Sequence, residues 1–108
     1  MKVKVSEASG SVLDWLVAMC EGIQDSAFVR SHMDAWPYST DWAQGGPIIE
    51  RRAIEVTRYI IPATLAEEWR AHCKGIKAFY GPTPLVAAMR CRVASKLGDV
   101  VEVPDELS

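Results

Sequence analysis

The sequence predicts a small α+β domain in which helices pack on a short, mostly antiparallel sheet. Two stretches, one near each end of the 108-residue chain, have the apolar spacing of amphipathic helices. Alternating apolar and polar residues predict several short strands in the rest of the chain. Because 108 residues supply one hydrophobic core, we expect residues 1–108 to form a single domain.

The amino-terminal region is predicted to form a strand followed by a helix. Valines alternate with lysines in residues 2–5, as in a half-buried strand. From Val12 onward the apolar residues share one wide helical face, and the preceding serines can cap the helix. We expect Asp14 and Glu21 on the opposite, polar face and Gly22 at the helix end.

The middle of the chain has a weaker pattern. Within residues 23–35, residues 27–29 are interpreted as a short strand. The Gly-Gly-Pro run at residues 45–47 permits an unusual backbone path, and a short helix over residues 47–53 is expected to follow it. Residues 54–61 alternate in the manner of a strand.

The region after that strand is ambiguous. Residues 65–74 fit both helical and strand spacing, and we favour a strand over residues 69–73 that forms a hairpin with the preceding strand. Residues 101–103 alternate as a last strand. Residues 104–108 form an acidic tail that we expect to be solvated.

The closing segment, residues 81–98, has the clearest helix signals. Thr83 can cap the first turn, and Pro84 suits the first helical position because that position needs no hydrogen-bond donor. Gly98 can adopt the left-handed conformation that ends a helix.

This closing helix has two faces of different character. Large apolar residues occupy one face and small residues the other: Leu85, Val86, Met89, Val93 and Leu97, against Ala87, Ala88, Cys91, Ala94 and Ser95. The small face is explained either by helix propensity at partly exposed positions or by close packing against another helix or a second subunit. Arg90, Arg92 and Lys96 lie between the faces, with their charged ends expected in water.

Composition argues against several classes of protein. A net charge of −2 is unlike the basic excess of nucleic-acid or membrane-surface proteins. The apolar run at residues 12–20 is too short to span a bilayer and contains Asp14, so we expect a cytoplasmic protein. Three widely spaced cysteines, Cys20, Cys73 and Cys91, fit neither a disulfide framework nor a metal-ligand pattern, and we interpret them as reduced core thiols.

Three parts of the sequence resemble the NinX family, which comprises small proteins encoded by tailed phages and prophages. They are MKVKVSE with LDWLVAMCEG, then YSTDWAQGGPIIE, and finally GPTPLVAAMRCRVASKLGDVVEVP. The family is similar to small phage domains described as α/β/α sandwiches. The resemblance implies a sheet covered by helices, supports the strand near Trp69, and implies an accessory role in the cytoplasm of an infected bacterium. It implies no activity, catalytic residue or cofactor.

The densest group of side chains suited to binding lies in residues 36–44. It comprises Trp36, Tyr38, Ser39, Thr40, Asp41, Trp42 and Gln44. Indole rings beside a carboxylate, hydroxyls and an amide can stack on a flat ligand or anchor a partner. The alternative is structural: Asp41 caps a helix with Gln44 at capping-box spacing, and the tryptophans cover the core.

Other chemistries are weaker. A hydrolytic triad would draw on Ser39, Thr40, His32, His72 and Asp41, but no nucleophile-elbow pattern surrounds either hydroxyl. His72 and the adjacent Cys73 would point apart on a strand, which disfavours a metal site that also uses His32. The arginines could gather into a basic patch, but acidic residues outnumber basic ones. We therefore expect no catalytic residue, metal or cofactor.

Two hypotheses of function follow. The leading one is a non-enzymatic phage accessory protein that binds an unidentified host or phage macromolecule through residues 36–44. A homo-oligomer could form through the small-residue face of the closing helix. The alternative is a small-ligand protein in which a tryptophan of this loop stacks on a nucleotide base, Asp41 or Gln44 contacts its edge, and an arginine meets phosphate.

Overall fold

The computed structural model describes residues 1–23 and 27–105, and it places the closing helix against most of the other elements. This helix, α4 (Pro84–Leu97), begins as predicted, with the Thr83 hydroxyl accepting a hydrogen bond from the Val86 N–H at 3.1 Å. Gly98 follows it with a φ of 94°, a left-handed value that favours glycine. The sequence signals at both ends of α4 are therefore confirmed.

The remaining elements are short. The helices are α1 (Gly10–Cys20), α2 (Ala27–Ser31) and α3 (Trp42–Arg51), with 3-10 turns at Val5–Glu7 and Met33–Ala35. The strands are β1 (Lys2–Lys4), β2 (Glu55–Ile60), β3 (Glu67–His72), β4 (Phe79–Gly81) and β5 (Val100–Glu102). In the described part of the chain, no helix has the length and apolar character needed to cross a membrane.

The strands form two small antiparallel sheets, which confirms the α+β class. β1 pairs with β5 in one sheet, and β2, β3 and β4 form the other in that order. In the larger sheet Ala71 lies between Val56 and Phe79, and this face packs on α4. Tyr59 and Tyr80 lie on the other face in an edge-to-face contact with ring centroids 5.2 Å apart.

The small-residue face of α4 is buried inside the chain except at Ser95, which is exposed. Ala87, Ala88 and Cys91 are fully buried, because α1 and the larger sheet approach α4 closely there. Close packing within one chain is thus the correct explanation of this face. Leu97 belongs to the large apolar face, which is suited to a core, but it is 41% exposed at the end of the helix.

The sequence pattern also predicted the wrong surroundings for Glu21, at the end of α1, and for Arg92 of α4. Arg92, predicted to hold its guanidinium in water, is 4% exposed and donates to the Cys20 carbonyl at 3.1 Å. Its Nε also pairs with Glu21 at 3.2 Å, and Arg51 of α3 pairs with the same carboxylate. Glu21 therefore joins three helices. The Arg92 guanidinium, at the carboxyl end of α1, also interacts favourably with the negative end of the helix dipole.

Several predicted elements need correction. Residues 27–29 belong to α2 and do not form a strand. The helix predicted over residues 47–53 begins at Trp42 and runs through both glycines and Pro47, and β4 had not been predicted. The hairpin of β2 and β3 is confirmed by its antiparallel register. The tail prediction for residues 106–108, and the Gln24-Asp25 flank of the predicted strand, fall outside the described residues.

The two glycines of α3 have different roles. A Cβ on Gly45 would lie 2.5 Å from the Tyr38 carbonyl oxygen and 2.6 Å from a Leu85 methyl carbon, so only glycine allows this approach. At Gly46 the nearest atom to such a Cβ belongs to Trp42 at 3.7 Å, an ordinary contact. Gly46 precedes Pro47, whose ring disfavours helical backbone in a preceding residue that carries a Cβ.

We expect Gly45→Ala to lower the free energy of unfolding by about 1–3 kcal/mol, because neither the Tyr38 carbonyl nor Leu85 can move freely. Gly46→Ala is the matched control. Its gain in helix propensity is opposed by crowding against Pro47, so the change should stay below about 1 kcal/mol. Urea unfolding followed by circular dichroism measures both, and equal effects would contradict the close-approach role of Gly45.

Candidate functional site

The predicted loop folds into a tight turn that delivers the chain into α3. The Thr40 and Asp41 amides both donate to the Pro37 carbonyl, at 3.2 and 2.9 Å. Trp36 is half-buried against the core, and Tyr38 is 7% exposed. Burial raises the pKa of the Tyr38 phenol, and the Glu21 carboxylate adds to the increase. These two aromatic residues contribute mainly to packing.

Asp41 caps α3, which is the structural alternative considered for this residue. Its Oδ1 accepts a hydrogen bond from the Ala43 N–H at 2.9 Å. The reciprocal half of a capping box does not form, because the Asp41 N–H donates to Pro37. Gln44 is half-buried in the first turn of the helix. The carboxylate therefore has a defined role in the fold.

Ser39 connects the loop to α1 through a buried contact. Its N–H donates to the Asp14 Oδ1 at 2.8 Å, and the Ser39 side chain is 1% exposed. The Ser39 hydroxyl lies near Asp14 and favours its charged form, but it makes no hydrogen bond of ordinary geometry. Asp14, predicted on the polar face of α1, is instead 8% exposed beneath the loop.

Trp42 is the exposed aromatic residue of the predicted site. It is the first residue of α3, its side chain is 55% exposed, and it lies beside a pocket of about 230 Å³. The residues lining the pocket are Ser39, Thr40, Trp42, Thr83, Leu85 and Val86. Three of the seven predicted site residues therefore meet at one surface.

The other half of this pocket comes from the start of α4, which sequence reasoning did not assign to the site. Leu85 and Val86 form an apolar wall of the pocket. Thr83, the residue that caps α4, also lines it. They are brought to the loop by the close approach of Gly45 to Leu85. No local sequence pattern predicts a contact between residues separated by forty positions. The Gly-Gly pair was the available signal of close packing.

The residues considered for hydrolytic or metal chemistry lie in different surroundings. His32 contacts the Ser31 hydroxyl through Nδ1 at 3.1 Å, whereas His72 lines a separate pocket with Glu55 and Lys74. Over residues 1–23 and 27–105, no three His, Cys, Asp or Glu side chains are grouped as metal ligands.

All three cysteines are buried free thiols, as predicted. The sulfur atoms of Cys73 and Cys91 are 3.1 Å apart, where the end of β3 meets α4. Burial raises the pKa of the Cys20 thiol to about 11. Since the thiolate is the nucleophile and metal ligand, this protonated, enclosed thiol is suited to packing.

Comparison with known families gives a match that covers most of the chain. The profile of the family described as "Bacteriophage P22, NinX" matches residues 4–96, which is most of the chain and includes the loop, its pocket and nearly all of α4. Curated proteins show no match to the chain.

The contact between Asp14 and Ser39 can be tested by two substitutions. Asp14→Ala leaves the buried Ser39 N–H without an acceptor, and we expect a loss of about 1–3 kcal/mol of unfolding free energy. Asp14→Asn keeps an oxygen acceptor at the same position, so most of the stability should remain at pH 7. Urea unfolding of both variants beside the wild type measures the difference.

The pH dependence gives a second measurement. Burial raises the pKa of Asp14 from its ordinary value of 3.8, so the folded state holds the proton to higher pH than the unfolded state. The contribution of Asp14 to stability should therefore fall as pH rises from 3.8 to the raised pKa, then stay constant. Asp14→Asn removes this dependence. An increase in wild-type stability relative to Asp14→Asn over that range would contradict the assignment.

Proposed function

Because the chain belongs to the NinX family, we propose that this phage protein is a non-enzymatic accessory module that binds a host or phage protein through Trp42 and the adjoining pocket. The cytoplasm of the infected bacterium is the proposed place of action. The observation that carries the proposal is the exposure of Trp42 beside an apolar pocket. Exposed tryptophans that border pockets are common energetic centres of protein interfaces.

The size of the pocket supports a protein partner. At about 230 Å³ it is smaller than the roughly 300–1,000 Å³ typical of small-molecule sites. One apolar side chain of a partner could enter between Leu85 and Val86 while the indole of Trp42 covers it. The hydroxyls of Thr40 and Thr83 could then bond to the partner's backbone.

The nucleotide alternative has less support at this position. Trp42 could stack on a base, but none of the described residues that line the pocket is a lysine or arginine to meet a phosphate. Asp41, expected to contact the base edge, already caps α3. The same lack of cations, with the net charge of −2, disfavours nucleic acid as the partner.

Self-association would need a surface other than the one first considered. Most of the small-residue face of α4 is covered by the chain's own α1 and larger sheet, so it offers little surface to a second subunit. We therefore propose that binding through Trp42 does not depend on a homodimer.

We expect Trp42→Ala to abolish capture of the partner while the fold survives. Because the indole is more than half exposed, its removal should change stability by no more than about 1 kcal/mol. The measurement is affinity capture from infected-cell lysate followed by mass spectrometry. Tyr59→Ala, which removes an exposed aromatic ring from the sheet, is the matched control and should retain the same proteins as the wild type.

Two results would contradict this proposal. The first is an identical set of captured proteins with Trp42→Ala and with wild type. The second is stabilisation by a nucleotide that disappears in Trp42→Ala. A nucleotide at 100 times its dissociation constant would add about 2.7 kcal/mol to the unfolding free energy, which a thermal-shift panel detects.

A further inference from the structure

A second and larger pocket lies at the free edge of β4, away from the loop described above. Its volume is about 350 Å³, within the roughly 300–1,000 Å³ typical of small-molecule sites. It is lined mainly by Ser6, Glu68, Lys77, Phe79, Tyr80 and Arg90. These residues come from the amino-terminal 3-10 turn, the larger sheet, the segment before β4, and α4.

Arg90 is held in a fixed orientation at this pocket. Its Nε donates to the Ala8 carbonyl at 2.8 Å, and its Nη1 donates to the Tyr80 carbonyl at 2.7 Å. A guanidinium has five N–H donors, so these two bonds leave three for other partners. The two carbonyls orient the planar group without neutralising its charge.

Arg90 carries its positive charge in a half-buried position. Among the described residues, no carboxylate forms an ion pair with it. Burial lowers the pKa of Arg90, and the more distant carboxylates of Glu68 and Glu7 only partly oppose this. A half-buried cation without an acidic partner is costly, and a bound anion would remove that cost.

The neighbouring side chains define the kind of anion. Lys77 lies 5.6 Å from the centre of the Phe79 ring and pairs with Asp99 at 3.2 Å, so it adds a second cation near the pocket. The Tyr80 ring, 39% exposed, offers a flat apolar wall. Glu68 contributes a negative charge to the same pocket and would repel a ligand with two negative charges.

We propose that this pocket binds a small monocarboxylate with a flat apolar body. The carboxylate accepts hydrogen bonds from the uncommitted N–H groups of Arg90, in the planar geometry that guanidinium and carboxylate share. The apolar body packs on Tyr80. Glu68 selects against dianions such as phosphate monoesters.

The test uses the full-length, ¹⁵N-labelled protein titrated with benzoate, benzamide and phenyl phosphate. Benzoate should shift the amide resonances of residues 77–80 and leave those of Ser39 and Trp42 unchanged. Neutral benzamide has the same shape and should bind at least tenfold more weakly. Phenyl phosphate, as a dianion, should also bind more weakly than benzoate.

Variants separate the roles of the charged residues. Arg90→Gln should weaken benzoate binding at least tenfold. Glu68→Gln should strengthen it, and should strengthen phenyl phosphate binding more, because the repulsive charge is removed. Glu67→Gln is the matched control, since Glu67 adjoins Glu68 on β3 but pairs with Arg58, and it should change neither affinity.

The gain of affinity in Glu68→Gln keeps the test informative if Arg90→Gln fails to fold. Equal binding of benzoate and benzamide, or no benzoate-dependent shifts in residues 77–80, would overturn the proposal. Tighter binding of phenyl phosphate than of benzoate to the wild type would overturn the assignment to carboxylates.

Discussion

The close packing of α4 is the constraint on which the rest of the structure depends. Neighbouring elements can approach a helix closely only where its side chains are small, and Ala87, Ala88 and Cys91 meet that condition. A Cβ on Gly81 would lie 2.8 Å from the Ala87 nitrogen, so β4 also requires glycine where it meets the helix. Larger buried side chains, such as Leu13 and Leu16 of α1, fill the rest of the core.

Buried charge is the second consequence of that packing. Arg92 sits on a face that becomes enclosed, so its guanidinium is satisfied by Glu21 and the Cys20 carbonyl rather than by water. Removing either partner of such a buried pair leaves the other charge buried and uncompensated, which is strongly destabilising. The pair thus fixes how α1 and α4 meet, while Arg51 brings α3 to the same carboxylate.

Local signals predicted the parts of the fold that depend on local physics. Thr83, Pro84 and Gly98 act within one turn of the helix end, so the limits of α4 could be predicted. The hairpin of β2 and β3 followed from alternation along neighbouring segments. Asp14 and Arg92 were assigned to water because helical spacing shows which residues share a face, but not which faces the tertiary structure encloses. β4 has only three residues, too few for a period to be recognised.

The candidate site also combines features that local sequence predicts with features that depend on tertiary packing. The loop was predicted from its unusual side chains, and Asp41 was foreseen as a possible helix cap. Which aromatic residue would remain exposed depended on how the turn packs, and Trp42 rather than Trp36 or Tyr38 proved to be that residue. The contribution of Leu85 could not be predicted, because it depends on the contact that Gly45 permits. The Arg90 pocket likewise joins segments far apart in sequence.

The central position of α4 also bears on how the native molecule exchanges its amide hydrogens with solvent. Fraying of the β2–β3 hairpin would leave α1 and α3 in place over α4, and loss of α3 would leave the larger sheet there. Amides in the middle of α4 should therefore exchange with deuterium only through global unfolding, whereas those of the hairpin can exchange through local unfolding. The slowest exchange rates would then report the global stability of the protein.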